Sequence, residues 1–179
     1  MKASFWKHWR LPLILLAVLP LTIVLPQTGI INPYVDLVLK YIGINIILTV
    51  SLNLVNGYMG EFSVGHAGFM AIGAYVASIL TVWVFPPGLG PVLFPVALVA
   101  GGIAAGIAGL GLAVPSFRTR GDYLAIVTLA FNFIIKSALE NVDAIGGPRG
   151  FMGMDKLTTL WWVYLWVVLT IFLARNFVF

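Results

Sequence analysis

Cysteine is absent from this chain of 179 residues, and charge is scarce: Asp, Glu, Lys and Arg together make up 9%. Without cysteine there is no disulfide and no thiolate metal site, and the sequence carries no mark of redox compartment. An average soluble domain has roughly 25% charged residues. A chain this poor in charge, 61% hydrophobic and with a mean hydropathy of +1.05, cannot hide its apolar side chains in a soluble core and needs lipid. The net charge is +4. The charges sit between apolar runs and form no basic stripe, which argues against nucleic acid as a partner. A phosphate-binding loop is missing too. GGPRG at Gly146–Gly150 lacks the lysine and the following Ser or Thr, so any ATP-driven step needs another chain. No tandem repeat and no low-complexity tail is present.

What fills the chain instead is a set of long apolar runs, each near the about 20 residues that a spanning helix requires. They predict an all-α polytopic membrane protein, one transmembrane domain over residues 1–179, with about six spans near 11–31, 34–55, 66–84, 92–114, 123–139 and 157–174. Pro12, Pro20 and Pro26 make the first span irregular. The opening MKASFWKHWR followed by an apolar run has the outline of a signal peptide, but no small-x-small cleavage site follows. Trp6 and Trp9 read as interfacial anchors of an uncleaved span.

Orientation follows from Lys and Arg in the short loops. With the N-terminus cytoplasmic, Lys2, Lys7, Arg10, Arg118, Arg120 and Arg175 all fall inside. Glu140–Lys156 is then external, with Glu140, Asp143 and Asp155 against Arg149 and Lys156. This glycine-rich external segment reads equally as an ordered lid or docking surface and as a flexible connector.

One polar stretch interrupts the apolar pattern. Gly57–Gly68 reads GYMGEFSVGHAG, an irregular segment between spans two and three. Irregular polar backbone beside a bilayer survives only where protein or a water-filled cavity surrounds it, which points to a solute path. Glu61 and His66 are its acid and its ring base. Ionisable groups at membrane depth are functional by default, so a proton relay or substrate contact is one reading. The other has Glu61 solvated at a helix end and His66 at a helix start. A metal site would need three or four ligands, and a catalytic site a nucleophile, base and orienting group. Ser63 is nearby, but no spacing signature accompanies it, so no catalytic, metal or cofactor-binding residue is assigned. Asp122 suits an N-cap or first-turn acid. Asn53, Asn56 and Asn132 are candidate polar residues of a cavity, with Asn132 and Lys136 four apart on one helical face; Asn132, at mid-span, reads also as a structural hydrogen-bonding residue. Small residues recur at Ala67, Ala71, Ala74 and Ser78, and in Gly102-x-x-x-Gly106 beside Gly101, Ala105 and Gly109. They suit close helix packing within the subunit or at a subunit interface.

Two long stretches carry a family resemblance. SLNLVNGYMGEFSVGHAGFMAIGAYVA (Ser51–Ala77), and then RTRGDYLAIVTLAFNFIIKSALEN (Arg118–Asn141) followed by GGPRGF, resemble in order the two signatures of M-type permease subunits of Liv-type branched-chain amino acid importers of the ATP-binding-cassette class. Gly57, Gly60, Ser63, Gly65 and His66 carry the first, with Glu61 inside it. Arg120, Gly121, Asp122 and Tyr123 carry the second. The resemblance implies a transport subunit and not an enzyme, pairing with an H-type permease. Two cytoplasmic ATPases would use the ATP, and a periplasmic or lipid-anchored solute-binding protein would deliver the cargo across a bacterial or archaeal inner membrane. Related permeases imply other amino acids, amides or urea as alternative cargo. A secondary carrier or a membrane-embedded enzyme using Glu61 and His66 are further alternatives; a carrier would be expected to have inverted halves, and no matching second half is found. Members of this family continue into a cytoplasmic loop that docks on the ATPase. Here the sequence ends at Phe179, which implies an N-terminal portion or truncated product unable to couple to ATP hydrolysis.

Overall fold

The computed structural model describes residues 20, 22–24, 32–86, 88–116 and 122–178. Helices α1 (Pro33–Asn53), α2 (His66–Ile79), α3 (Gly90–Ser116), α4 (Asp122–Glu140) and α5 (Leu160–Val178) follow one another, and no strand forms among the described residues. α1 and α2 each run on into a π-turn, Leu54–Tyr58 and Leu80–Val84. Among the described residues, five helices are long and apolar enough to cross a bilayer, which makes this an all-α, multi-pass membrane protein. They coincide with the second to sixth expected spans. The last begins at Leu160 and not at Leu157, which lies beside Gly90 at the start of α3. The first expected span lies outside the described residues except for Pro20 and residues 22–24; Pro12, Pro26, Trp6 and Trp9 are outside them.

The chain divides into two compact units. One contains α1 and α5. Asn32 caps α1, its Oδ1 accepting from the Tyr34 N–H at 3.1 Å, and Pro33 occupies a first-turn position where its missing N–H is harmless. Asp36 and Lys40 pair at 2.7 Å. Asn45 and Thr49 donate to carbonyls one turn back, at 2.9 and 2.7 Å, which occupies the Thr49 hydroxyl proton and one of the two Asn45 amide protons. Gly43, Val163 and Val167 are the buried positions of the two helices. A Cβ at Gly43 would run into Val163 Cγ1.

The other unit spans Val55–Leu157. Its centre is the crossing of α2 and α3, where Gly73 and Gly101 meet backbone to backbone. A Cβ at Gly101 would lie 2.5 Å from the Gly73 carbonyl oxygen, and one at Gly73 would lie 3.3 Å from that of Gly101. Without a solvophobic drive between helices in lipid, such close approach is what supplies contact energy. The face that packs is therefore Gly73 and Ala77 against Gly101 and Ala105. Gly102 and Gly106 have nothing within 4 Å of a would-be Cβ, so the G-x-x-x-G pair itself does not make this contact. Ala67 and Ala71 turn toward α4, and Ser78 donates to Met154 Sδ at 2.8 Å.

The segment after α4 is folded. Asp143–Ile145 and Gly147–Arg149 form two short 3-10 turns. Gly146, at φ +94°, makes the reversal between them, and a Cβ there would strike the Gly150 carbonyl. Phe151 then seats against Tyr75 and Trp83, with ring centroids 6.4 and 5.7 Å apart. Of the two readings of this segment, the geometry is that of a built cap.

Candidate functional site

Between the π-turn ending at Tyr58 and the start of α2, the backbone leaves the helical ladder. Every N–H and C=O freed there needs another partner, since an orphaned backbone group in an apolar setting is expensive. Gly60 makes the turn possible at φ +69°, a conformation that disfavours side chains. The Glu61 N–H reaches back across it to the Val55 carbonyl at 3.4 Å, in the manner of a glycine C-cap. Asn56 Oδ1 accepts from the Ser63 N–H at 3.1 Å, and Ser63 Oγ from the Gly65 N–H at 3.4 Å.

The remaining partners come from α4. Thr128 Oγ1 accepts from the Val64 N–H at 3.0 Å while donating to the Ala125 carbonyl at 3.0 Å. One turn on, Asn132 Nδ2 donates to the Val64 carbonyl. Asn132 Oδ1 accepts from the Gly68 N–H at 2.7 Å. Both backbone groups of Val64 are thus held by two side chains of one helix. Thr128 is 2% exposed, so its bond is shielded from competing water. Gly68 lets α4 approach: a Cβ there would fall 2.7 Å from Asn132 Oδ1 and 2.8 Å from the Phe131 ring. Phe69 packs on Phe131 with the rings tilted and their centroids 5.0 Å apart, and the His66 ring stands edge-on to Phe69 at 6.5 Å.

Thr128 and Asn132 begin a longer pattern. Thr128, Asn132, Lys136 and Glu140 recur every four residues and form a polar stripe along an otherwise apolar helix. Two clefts open along it. One, of roughly 500 Å³, lies toward the start of α4 and is lined by Val55, Glu61, Ser63, Leu112, Ser116 and Thr128 among others. The second, of roughly 330 Å³, lies toward its end. Its walls include Ala71, Tyr75, Asn132, Lys136 and Glu140, with Gly147 and Pro148 of the cap. The held segment lines the first of them through Glu61 and Ser63.

The expected residues fall unevenly on this frame. Ser63, Gly65 and Asn56 belong to the segment or hold it, and Gly57 and Gly60 lie at its entrance. Glu61 and Ser63 line the larger cleft. His66 is the first residue of α2. Asn132 lines the smaller cleft, yet its amide is engaged with backbone on both sides. Asn53 is exposed near the end of α1. Asp122 opens α4 and Tyr123 is exposed beside it. Arg120 and Gly121 lie outside the described residues. Thr128 escaped sequence reasoning, and Glu140 entered it only as a topological charge. The four-residue recurrence through Asn132 and Lys136, extended one step each way, was the signal that would have found both.

The family described as branched-chain amino acid transport system, permease component, matches residues 34–175. The high-affinity branched-chain amino acid transport system permease protein LivM of Escherichia coli is 43% identical over 116 residues, which is 64% of this chain and 26% of that protein. The LivM protein of Salmonella typhimurium is 42% identical over the same shares. The chain thus spans about a quarter of the length of these curated relatives. No solved structure matches it significantly. With a match over most of its length and its glycine-rich segment held by α4 inside that match, the chain belongs to the family of branched-chain amino acid transport permease components.

Proposed function

We propose that this chain is a permease subunit of an importer driven by ATP, carrying branched-chain or related amino acids, and that it acts in transport and not as an enzyme. The observation that carries the reading is the family match over residues 34–175. The geometry is in keeping with it: a non-helical segment, tied by hydrogen bonds to α4, lines one of two clefts toward opposite ends of that spanning helix. A second permease completes the path in this reading. Two cytoplasmic ATPases consume the ATP, no cofactor binds here, and a solute-binding protein delivers the cargo. The subunit lies in a bacterial or archaeal cytoplasmic membrane with its N-terminus inside. The cleft containing Glu61 then faces the cytoplasm, and the cleft beneath the cap faces outward.

The test is uptake of radiolabelled leucine by proteoliposomes containing the complete transporter, in which this sequence is joined to the ATPase-docking loop expected of its family. Uptake that requires ATP and the binding protein, and survives collapse of ion gradients, is the expected result. Uptake driven by an ion gradient without ATP would replace this reading with a secondary carrier.

A further inference from the structure

The stripe on α4 does two different things. Thr128 and Asn132 spend their hydrogen bonds on the Val64 and Gly68 backbone. Lys136 and Glu140 have no such task. They face one another at 3.8 Å, the long edge of ion-pair distance, and their side chains are 67% and 47% exposed. Such a pair holds its members weakly, so an incoming charge can displace it readily. Both line the smaller cleft, where they are the only charged groups among the described residues. The rest of the lining is mainly apolar, with Leu129, Phe133, Ile135 and Leu139 from α4 and Ala71 from α2. One cation, one anion and an aliphatic wall are the features of a site for a small ligand with two opposite charges and an apolar body.

We propose that Lys136 and Glu140 form a subsite for the zwitterionic head of an aliphatic α-amino acid, an inference that rests on the transport reading above. The Lys136 ammonium takes the ligand carboxylate and the Glu140 carboxylate takes its ammonium. The aliphatic side chain lies along Leu129, Phe133 and Leu139. Polarity along the helix favours this sense, since Glu140 is the last residue of α4 and a helix C-terminus attracts positive charge. The cap closes one side of the cleft with Gly147, Pro148 and Gly150. Phe151 pins that cap to α2 through Tyr75.

The experiment uses the complete transporter in proteoliposomes, recording leucine uptake together with the ATPase rate stimulated by the loaded binding protein. Lys136→Met and Glu140→Gln are each expected to lower uptake about tenfold or more, the size of a lost charge-assisted contact, while the ATPase rate stays within about twofold. Lys136→Arg and Glu140→Asp should retain most of the uptake. The double variant decides between ligand contact and mutual pairing: losses that multiply mean that each residue holds its own pole of the ligand, whereas a double variant no worse than either single would reduce the pair to a helix contact and overturn the subsite. Normal uptake in both single variants, or uptake falling only in step with the ATPase rate, would overturn it as well. Failure of the unsubstituted transporter to take up leucine with ATP would instead defeat the transport reading, and the subsite with it.

Discussion

Gly101 and Gly102 are neighbours in sequence and opposites in surroundings. A Cβ at Gly101 would press on the Gly73 carbonyl at 2.5 Å, whereas one at Gly102 would meet nothing. The same contrast separates the two faces of α3 along its length, Ala105 lying in the crossing and Gly106 in open space. A small residue in a membrane helix therefore says that a close contact is permitted, not that one is made. Only the partner backbone decides which member of a glycine pair is indispensable.

Gly101→Leu should show the largest effect, more than about 3 kcal/mol of destabilisation through overpacking against backbone that cannot yield. Loss of the monodisperse protein in detergent, or a collapse of its thermal unfolding midpoint, would register it. Gly102→Leu should stay within about 0.5 kcal/mol of the parent; equal damage from the two would mean that the faces are not distinct. Next comes Asn132→Leu, which strands the Val64 carbonyl and leaves the Gly68 N–H only its 3.1 Å bond to the Gly65 carbonyl, and should cost about 1–3 kcal/mol. Its specific signature is faster hydrogen exchange at the Gly68 amide. Thr128→Val keeps shape and removes one acceptor, for about 1–2 kcal/mol, with faster exchange at the Val64 amide as the local readout. Unchanged exchange there would show that Thr128 does not hold the segment. At the bottom of the scale, Lys40→Met removes the Asp36 pair in the other unit, and a shift above about 1 kcal/mol in unfolding would contradict its assignment as an ordinary i,i+4 contact.

The spans were legible because length and hydropathy are properties of each segment by itself. His66 as the start of a helix and the irregular stretch before it were equally local, announced by Gly60, Gly65 and the surrounding polar residues. The packing face of α3 was not legible. Gly101, Gly102, Ala105 and Gly106 offer two adjacent small faces, and nothing in α3 alone says which one meets Gly73. The hold on Val64 was legible only in part: a mid-span Asn132 reads as a structural hydrogen-bonder or a cavity residue, but the backbone it serves, 64 and 68 positions earlier, is named only when the helices are brought alongside. Glu140 was read for topology, a use of charge that hid its place at the end of a stripe.

The partners of Val64 have a consequence for biosynthesis. Its N–H is synthesised 64 residues ahead of the hydroxyl that accepts from it. At about 5–20 residues per second, the ribosome takes on the order of 3–13 s to produce that helix. Throughout this interval the non-helical stretch has no side chain of α4 to satisfy it. Water or the insertion machinery must serve in its place, and full entry into lipid has to wait until Thr128 and Asn132 emerge.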